Sequence, residues 1–163
     1  MQSMLRRTMI KKKKNPFSDS GYVRELFFGT KKEDEVKLRQ SVFPPQKGVG
    51  KIEITHENVI IASLTFQFGK NLAKKPIEVR ANDIYLDAGH LDAIRVGEKY
   101  RGGKLASQML AELIHYAKTK KTGTIYLRVN VANTDAVNLY KKFGFKVVRT
   151  IGDNEHLMAC FLG

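Results

Sequence analysis

The stretch Tyr22–Phe28 is rich in β-formers and predicts a first strand. Thr30-Lys31-Lys32-Glu33 fits a capping box, in which a hydroxyl and a carboxylate satisfy the free amides of a helix start. The helix expected from it runs to about Val42 and stops at Phe43-Pro44-Pro45, since proline cannot continue it. Lys51–His56 and Asn58–Phe68 read as two strands of a hairpin turning near Glu57-Asn58. Polar, proline-containing Gly69–Asn82 reads as an insertion or flexible loop, and Leu91–Val96 as a further strand.

From Leu105 the spacing changes. Met109, Leu110, Leu113, Ile114 and Ala117 follow at the intervals of one helix face, and Thr122-Gly123 ends that helix. Ile125–Val131 alternates as a strand. Asn133 or Thr134 can cap a short helix through Phe143, with Gly144 where a left-handed residue closes a helix. Phe145–Ile151 and Leu157–Leu162 read as closing strands around a bend at Gly152-Asp153-Asn154. Strands first, then helix–strand–helix–strand–strand, imply an α+β (mixed α/β) domain.

Composition narrows the class. The chain has 163 residues, enough for one full core, and its single Cys160 excludes a disulfide framework or a multi-cysteine zinc site. No apolar run approaches the roughly 18 residues of a membrane span, so a cytoplasmic protein without membrane contact is expected. The net charge of +13 predicts attraction to anions. Part of it lies in Arg6, Arg7 and Lys11–Lys14, so residues 1–20 read as a basic tail. The stretch 1–14 is a solvated arm, a contact for a polyanion or the ribosome, or a targeting segment.

Chemistry concentrates in Arg95-Val96-Gly97-Glu98-Lys99-Tyr100-Arg101-Gly102-Gly103-Lys104-Leu105-Ala106. A strand ends, a basic glycine turn follows, and a long helix begins at once. Amides at a helix start lack internal partners and sit at the positive end of the dipole, so such a turn can cradle a phosphate. A plain strand-to-helix turn shows the same pattern.

A second segment is Asn130-Val131-Ala132-Asn133-Thr134-Asp135-Ala136-Val137-Asn138-Leu139-Tyr140-Lys141-Lys142-Phe143-Gly144-Phe145. With both segments, the chain resembles the GNAT superfamily of acetyl-CoA-dependent N-acetyltransferases. The turn looks like that family's Arg/Gln-x-x-Gly-x-Gly/Ala pyrophosphate loop. The later stretch looks like its Asn-x-x-Ala-x-x-Leu-Tyr-x-x-x-Gly-Phe signature. The resemblance is good over Leu91–Leu162 and weaker over Tyr22–Phe68. It implies one acetyltransferase domain over residues 21–163, with a mostly antiparallel twisted sheet, a V-shaped splay between two parallel strands, and helices on both faces.

The resemblance also implies roles. Acetyl-CoA is the expected donor. Its pantetheine would bond backbone near Ile94, Arg95 and Val96, and its pyrophosphate would meet Arg101, Gly102, Gly103, Lys104, Leu105 and Ala106. Lys104 departs from the pattern, standing where the family usually carries glycine. Its side chain would crowd the phosphate or demand an unfavourable backbone angle, or its ammonium would pair with the anion while Gly103 supplies the freedom. Retained binding is expected, because lysine adds attraction. Tyr140 matches the general acid that protonates the departing thiolate, though its spacing alone also suits a core aromatic. Asn133 matches the asparagine that contacts the cofactor or orders the following helix.

For the base, Asp92 and His90 stand equal, with water alone a third route. Leu38–Pro44 resembles a helix-to-loop segment lining the peptide entrance of the N-terminal acetyltransferase branch, which would place Phe43 and Pro44 against substrate. The expected reaction is direct attack of a peptide or protein α-amine, or a lysine ε-amine, on the thioester in a ternary complex. Alternatives are a small-molecule amine acetyltransferase and a binding module using its basic tail on nucleic acid or ribosome. No metal is expected.

Overall fold

In antiparallel register, Tyr22 faces Val42 and Phe28 faces Val36, so the chain's first two described segments are paired strands. These observations come from a computed structural model describing residues 21–29, 33, 35–46, 49–68, 88–102, 104–120 and 122–162. The tail at 1–20, Thr30, the segment 69–82 and Gly103 lie outside the described residues. The strands are β1 (Tyr22–Phe28), β2 (Val36–Gln46), β3 (Val49–His56), β4 (Val59–Gln67) and β5 (Ala88–Val96). A single 3-10 turn, Glu98–Tyr100, leads to helix α1 (Leu105–Thr119). Then follow β6 (Thr124–Asn130), helix α2 (Thr134–Lys142), β7 (Lys146–Ile151) and β8 (Glu155–Phe161).

The described residues divide into two compact units. The first runs up to Pro44 and includes Gly50–Thr65 and Ala93–Leu113; the second holds Pro45–Val49, Phe66–Asp92 and Ile114 onward. Strands follow the order β1-β2-β3-β4-β5 in the first and β5-β6-β8-β7 in the second. The fold is mixed α/β and its strands are mostly antiparallel, the exception being the parallel pair β5 and β6.

Where a helix was expected to run to Val42, Val36–Val42 is strand. Leu38, Gln40 and Val42 are buried while Lys37 and Arg39 are exposed, a period of two that β1 selects over the helical tendency of lysine, leucine and arginine. Pro44 and Pro45 lie past Val42, the last residue paired with β1, so they take no donor from that ladder. Phe43 and Pro44 accordingly sit on a strand, not at a helix end. Phe43 is exposed, with Lys51 Nζ 5.1 Å from its ring centre.

The hairpin β3–β4 turns at Glu57-Asn58, both with positive φ (51° and 67°), as the right-handed twist of a two-residue hairpin requires. Helix α1 buries Leu105, Met109, Leu110 and Leu113 completely or nearly so. In the second unit Phe66, Phe68 and Tyr116 pack ring to ring, with Phe68 stacked on Tyr116 at 5.7 Å. Gly89 makes room for Phe68, because a Cβ there would stand 2.1 Å from its ring.

Candidate active site

The anion-binding candidates lie in the first unit. Gly97 N–H donates to Ile61 O at 2.7 Å, tying the end of β5 to β4. Tyr100 N–H donates to Gly97 O at 2.8 Å, and Arg101 Nε to Val96 O at 3.1 Å, so the turn folds back on its own strand. The exposed Arg101 guanidinium keeps further donors for an anion. Gly102 has φ 77°, the left-handed conformation that only glycine adopts freely.

Lys104 is exposed, one residue before the start of α1. Its carbonyl accepts the first bond of α1, from Gln108 N–H at 2.8 Å. By helix geometry the amides of Leu105 and Ala106 have no partner one turn back. Gly103, expected to supply conformational freedom beside Lys104, lies outside the described residues. Ile94 and Val96 are half-buried and Arg95 is exposed.

The proton-transfer candidates lie in the second unit. The parallel register runs from Ala88↔Thr124 to His90↔Tyr126, short of either strand's full length. His90 stacks on Tyr126 with centroids 4.8 Å apart and planes 16° from parallel. Burial lowers the His90 pKa, the Asp92 charge raises it and the Arg128 charge lowers it, with a net depression. The imidazole is therefore neutral at pH 7 and able to take a proton. Asp92 is exposed and acts on His90 through its charge. Burial pushes the Tyr126 phenol up to about 12, against the opposing Arg128 charge. Arg128 also lies 4.0 Å from Glu155.

Tyr140 is buried on α2, and burial alone raises its pKa, so the phenol keeps its proton at neutral pH. Its position follows from both helix ends. Asn130 Oδ1 accepts from Ala132 N–H at 2.8 Å, and Asn133 Oδ1 from Ala136 N–H at 3.3 Å, so Asn133 is the N-cap. At the other end Gly144 N–H reaches Lys141 O (3.0 Å) and Phe145 N–H reaches Tyr140 O (3.1 Å), with Gly144 at φ 93°. This is a Schellman cap, and its apolar clasp is the Phe145 ring 5.7 Å from that of Tyr140. The Gly-Phe pair thus fixes the tyrosine five residues earlier.

Three features went unread in the sequence. Buried Glu112 accepts hydrogen bonds from Tyr22, Arg24 and Gln40. A carboxylate on the apolar stripe Met109–Leu113–Tyr116 was the signal for it. Tyr126 faces His90 through the parallel register, which no local pattern announces. Tyr100 reaches His56 Nδ1 at 3.4 Å, linking residues 44 apart in sequence. Cys160 is buried, and its thiol donates to Phe143 O at 3.6 Å. Among the described residues no His, Cys, Asp and Glu cluster could hold a metal ion, and no helix is long and apolar enough to cross a membrane.

The model of the acetyltransferase (GNAT) family matches residues 22–145. An N-alpha-acetyltransferase of Sulfurisphaera tokodaii is 36% identical over 78 residues, 44% of this chain and 47% of that protein. A spermine/spermidine N(1)-acetyltransferase of Bacillus subtilis is 40% identical over 57 residues, 34% of this chain and 38% of that protein. The matches thus span less than half the length of these curated relatives. Among solved structures, Arabidopsis thaliana NAA60 in complex with acetyl-CoA superposes with a TM-score of 0.57 at 20% identity, covering 71% of this chain and 77% of that one.

Proposed function

Since the chain belongs to the acetyltransferase (GNAT) family, we propose that it transfers an acetyl group from acetyl-CoA to a primary amine of a peptide or protein. The observation that carries this is the Arg101–Ala106 turn. A left-handed glycine, an exposed guanidinium and an exposed lysine lead into α1, whose first amides have no partner within the helix. That set of donors suits a diphosphate.

The donor supplies an activated thioester. The chain's residues supply binding and proton traffic. Arg101, Gly102, Lys104, Leu105 and Ala106 hold the diphosphate, and backbone near Ile94, Arg95 and Val96 takes the donor's amide groups. The acceptor must be neutral to attack, and His90 removes its proton, with Asp92 favouring the imidazolium that results. Tyr140 gives its phenolic proton to the departing thiolate. Asn133 serves this step by capping the helix that carries Tyr140. Exposed Phe43, with Pro44 beside it, is an apolar contact for the acceptor chain.

An α-amine acceptor is supported by the likeness to N-alpha-acetyltransferases. The likeness to the spermine/spermidine enzyme supports a small polyamine instead. Against that stands the net charge of +13, which repels polycations and attracts acidic peptides. A cytoplasmic setting suits this donor and the lone cysteine. The test is acetyl-CoA-dependent thiol release with a peptide library and, in parallel, with spermidine. Turnover on acidic-fronted peptides supports the proposal. Turnover on spermidine alone assigns the small-amine reading, and none with either overturns both.

A further inference from the structure

We propose that Tyr100 and His56 are positioning residues for the donor turn, acting through a hydrogen-bonded relay that ends on Glu57. The inference rests on the reading that the Arg101–Ala106 turn holds the donor's diphosphate. Every group in it belongs to the first unit.

Tyr100 closes the 3-10 turn immediately before Arg101. Its ring meets Phe28 edge-on, with centroids 5.8 Å apart and planes at 63°. Its hydroxyl lies 3.4 Å from His56 Nδ1, and His56 Nε2 lies 3.3 Å from Glu57 Oε1. A neutral imidazole carries one ring proton. The adjacent carboxylate places that proton on Nε2, which leaves Nδ1 as an acceptor for the tyrosine hydroxyl. Glu57 is held at this spot by the hairpin, whose turn gives it φ 51°.

An edge contact with Phe28 needs only a phenyl ring. The hydroxyl adds a directional bond that sets where the ring stands, and with it the residue that begins the anion grip. The backbone is already anchored upstream, since Gly97 N–H is bonded to Ile61 O and a Cβ at Gly97 would lie 3.2 Å from that oxygen. Gly102, one residue beyond Arg101, is intrinsically free. The relay therefore braces the turn between a fixed start and a free end, ordering Arg101 before the donor arrives and lowering the entropy lost on binding.

The test measures acetyl-CoA affinity by calorimetry, together with KM and kcat, for Arg101→Ala, Tyr100→Phe, His56→Ala and His56→Asn. Tyr100→Phe keeps the contact with Phe28 and so tests the hydroxyl without disturbing packing. Expected are donor affinities weakened about three- to tenfold in Tyr100→Phe and His56→Ala, with kcat within twofold of the parent. His56→Asn restores much of the affinity, because its amide oxygen can stand near the position of Nδ1. The double variant Tyr100→Phe/His56→Ala loses no more than either single one. If Arg101→Ala weakens the donor while Tyr100→Phe and His56→Ala bind like the parent, the relay is overturned. If Arg101→Ala also binds like the parent, the diphosphate reading itself has failed, and the relay with it.

Discussion

Arg24 Nε donates to Glu112 Oε1 across 2.7 Å, and both side chains are almost completely removed from solvent. Gln40 Nε2 adds a bond at 2.9 Å, Tyr22 adds its hydroxyl, and Gln40 is the register partner of Arg24 across β1 and β2. A helix carboxylate is thereby clamped by two neighbouring strands. Burial of Arg24 works against its charge, but the bonds and charge of Glu112 outweigh it and its pKa rises. For Tyr22, burial and Glu112 together hold the phenol protonated.

Breaking this cluster from one side leaves a buried charge alone. Glu112→Gln should lower stability by about 3–5 kcal/mol in urea unfolding. Replacing both ions by apolar groups, as in Arg24→Met with Glu112→Leu, should recover only part of the loss, because the Tyr22 hydroxyl and Gln40 Nε2 then lose their acceptor. It also removes the buried Arg24 Nη1, which has no partner among the described residues. A single substitution as mild as a surface one, within about 0.5 kcal/mol, would show that the cluster adds little.

Tyr140→Phe should reduce kcat about a hundredfold with little change in donor affinity, since the ring and its contact with Phe145 persist. The phenol's raised pKa means that loss of its proton weakens catalysis only above its ordinary value near 10. Unchanged turnover would remove Tyr140 from the acid's role.

His90 offers a test with two opposite signs. Its folded pKa lies below the ordinary value of about 6.5, so the unfolded chain takes up the proton first. The related stability is fully present above pH 6.5 and is lost as pH falls from there through the depressed value. The acid limb of kcat/KM should follow the same group. Arg128→Gln removes a charge that lowers the pKa and should move the limb to higher pH. Asp92→Asn removes one that raises it and should move the limb to lower pH. Shifts in the same direction, or none, would show that another group takes the proton.

The caps of α2 predict a further pair. Asn133→Ala should lower stability by about 1 kcal/mol through the lost bond to Ala136 N–H. Gly144→Ala should lose about 1–2 kcal/mol, because φ 93° strains any side chain although the nearest atom, Cys160 Sγ, is 3.7 Å away. Thermal unfolding checks both, and a Tm for Gly144→Ala equal to the parent's would contradict the cap.

Much of the fold was legible because its signals are local. The spacing from Leu105 names a helix, Asn133 and Gly144 name two caps, and Glu57-Asn58 names a hairpin turn. Each depends on residues within a few positions of one another. The same local logic misread Val36–Val42, where charged helix-formers lie over an alternation that only β1 rewards. In the candidate site, the donor turn and Tyr140 stood out as motifs, whereas the stacking partner of His90 did not. Tyr126 reaches it through a parallel register, and such pairing leaves no mark in either strand alone.

By itself, then, the sequence determined the order of elements from β3 onward, the left-handed glycine that closes α2, and the candidates for anion binding and proton transfer. Steric limits and periodicity act over one or two turns of chain, and they are written where they act. Tertiary structure alone decided that 36–46 is strand, that Glu112 is clamped by Arg24 and Gln40, and that burial lowers the His90 pKa. Those outcomes turn on desolvation and on hydrogen bonds between distant residues, and both arise only when the chain has brought them together.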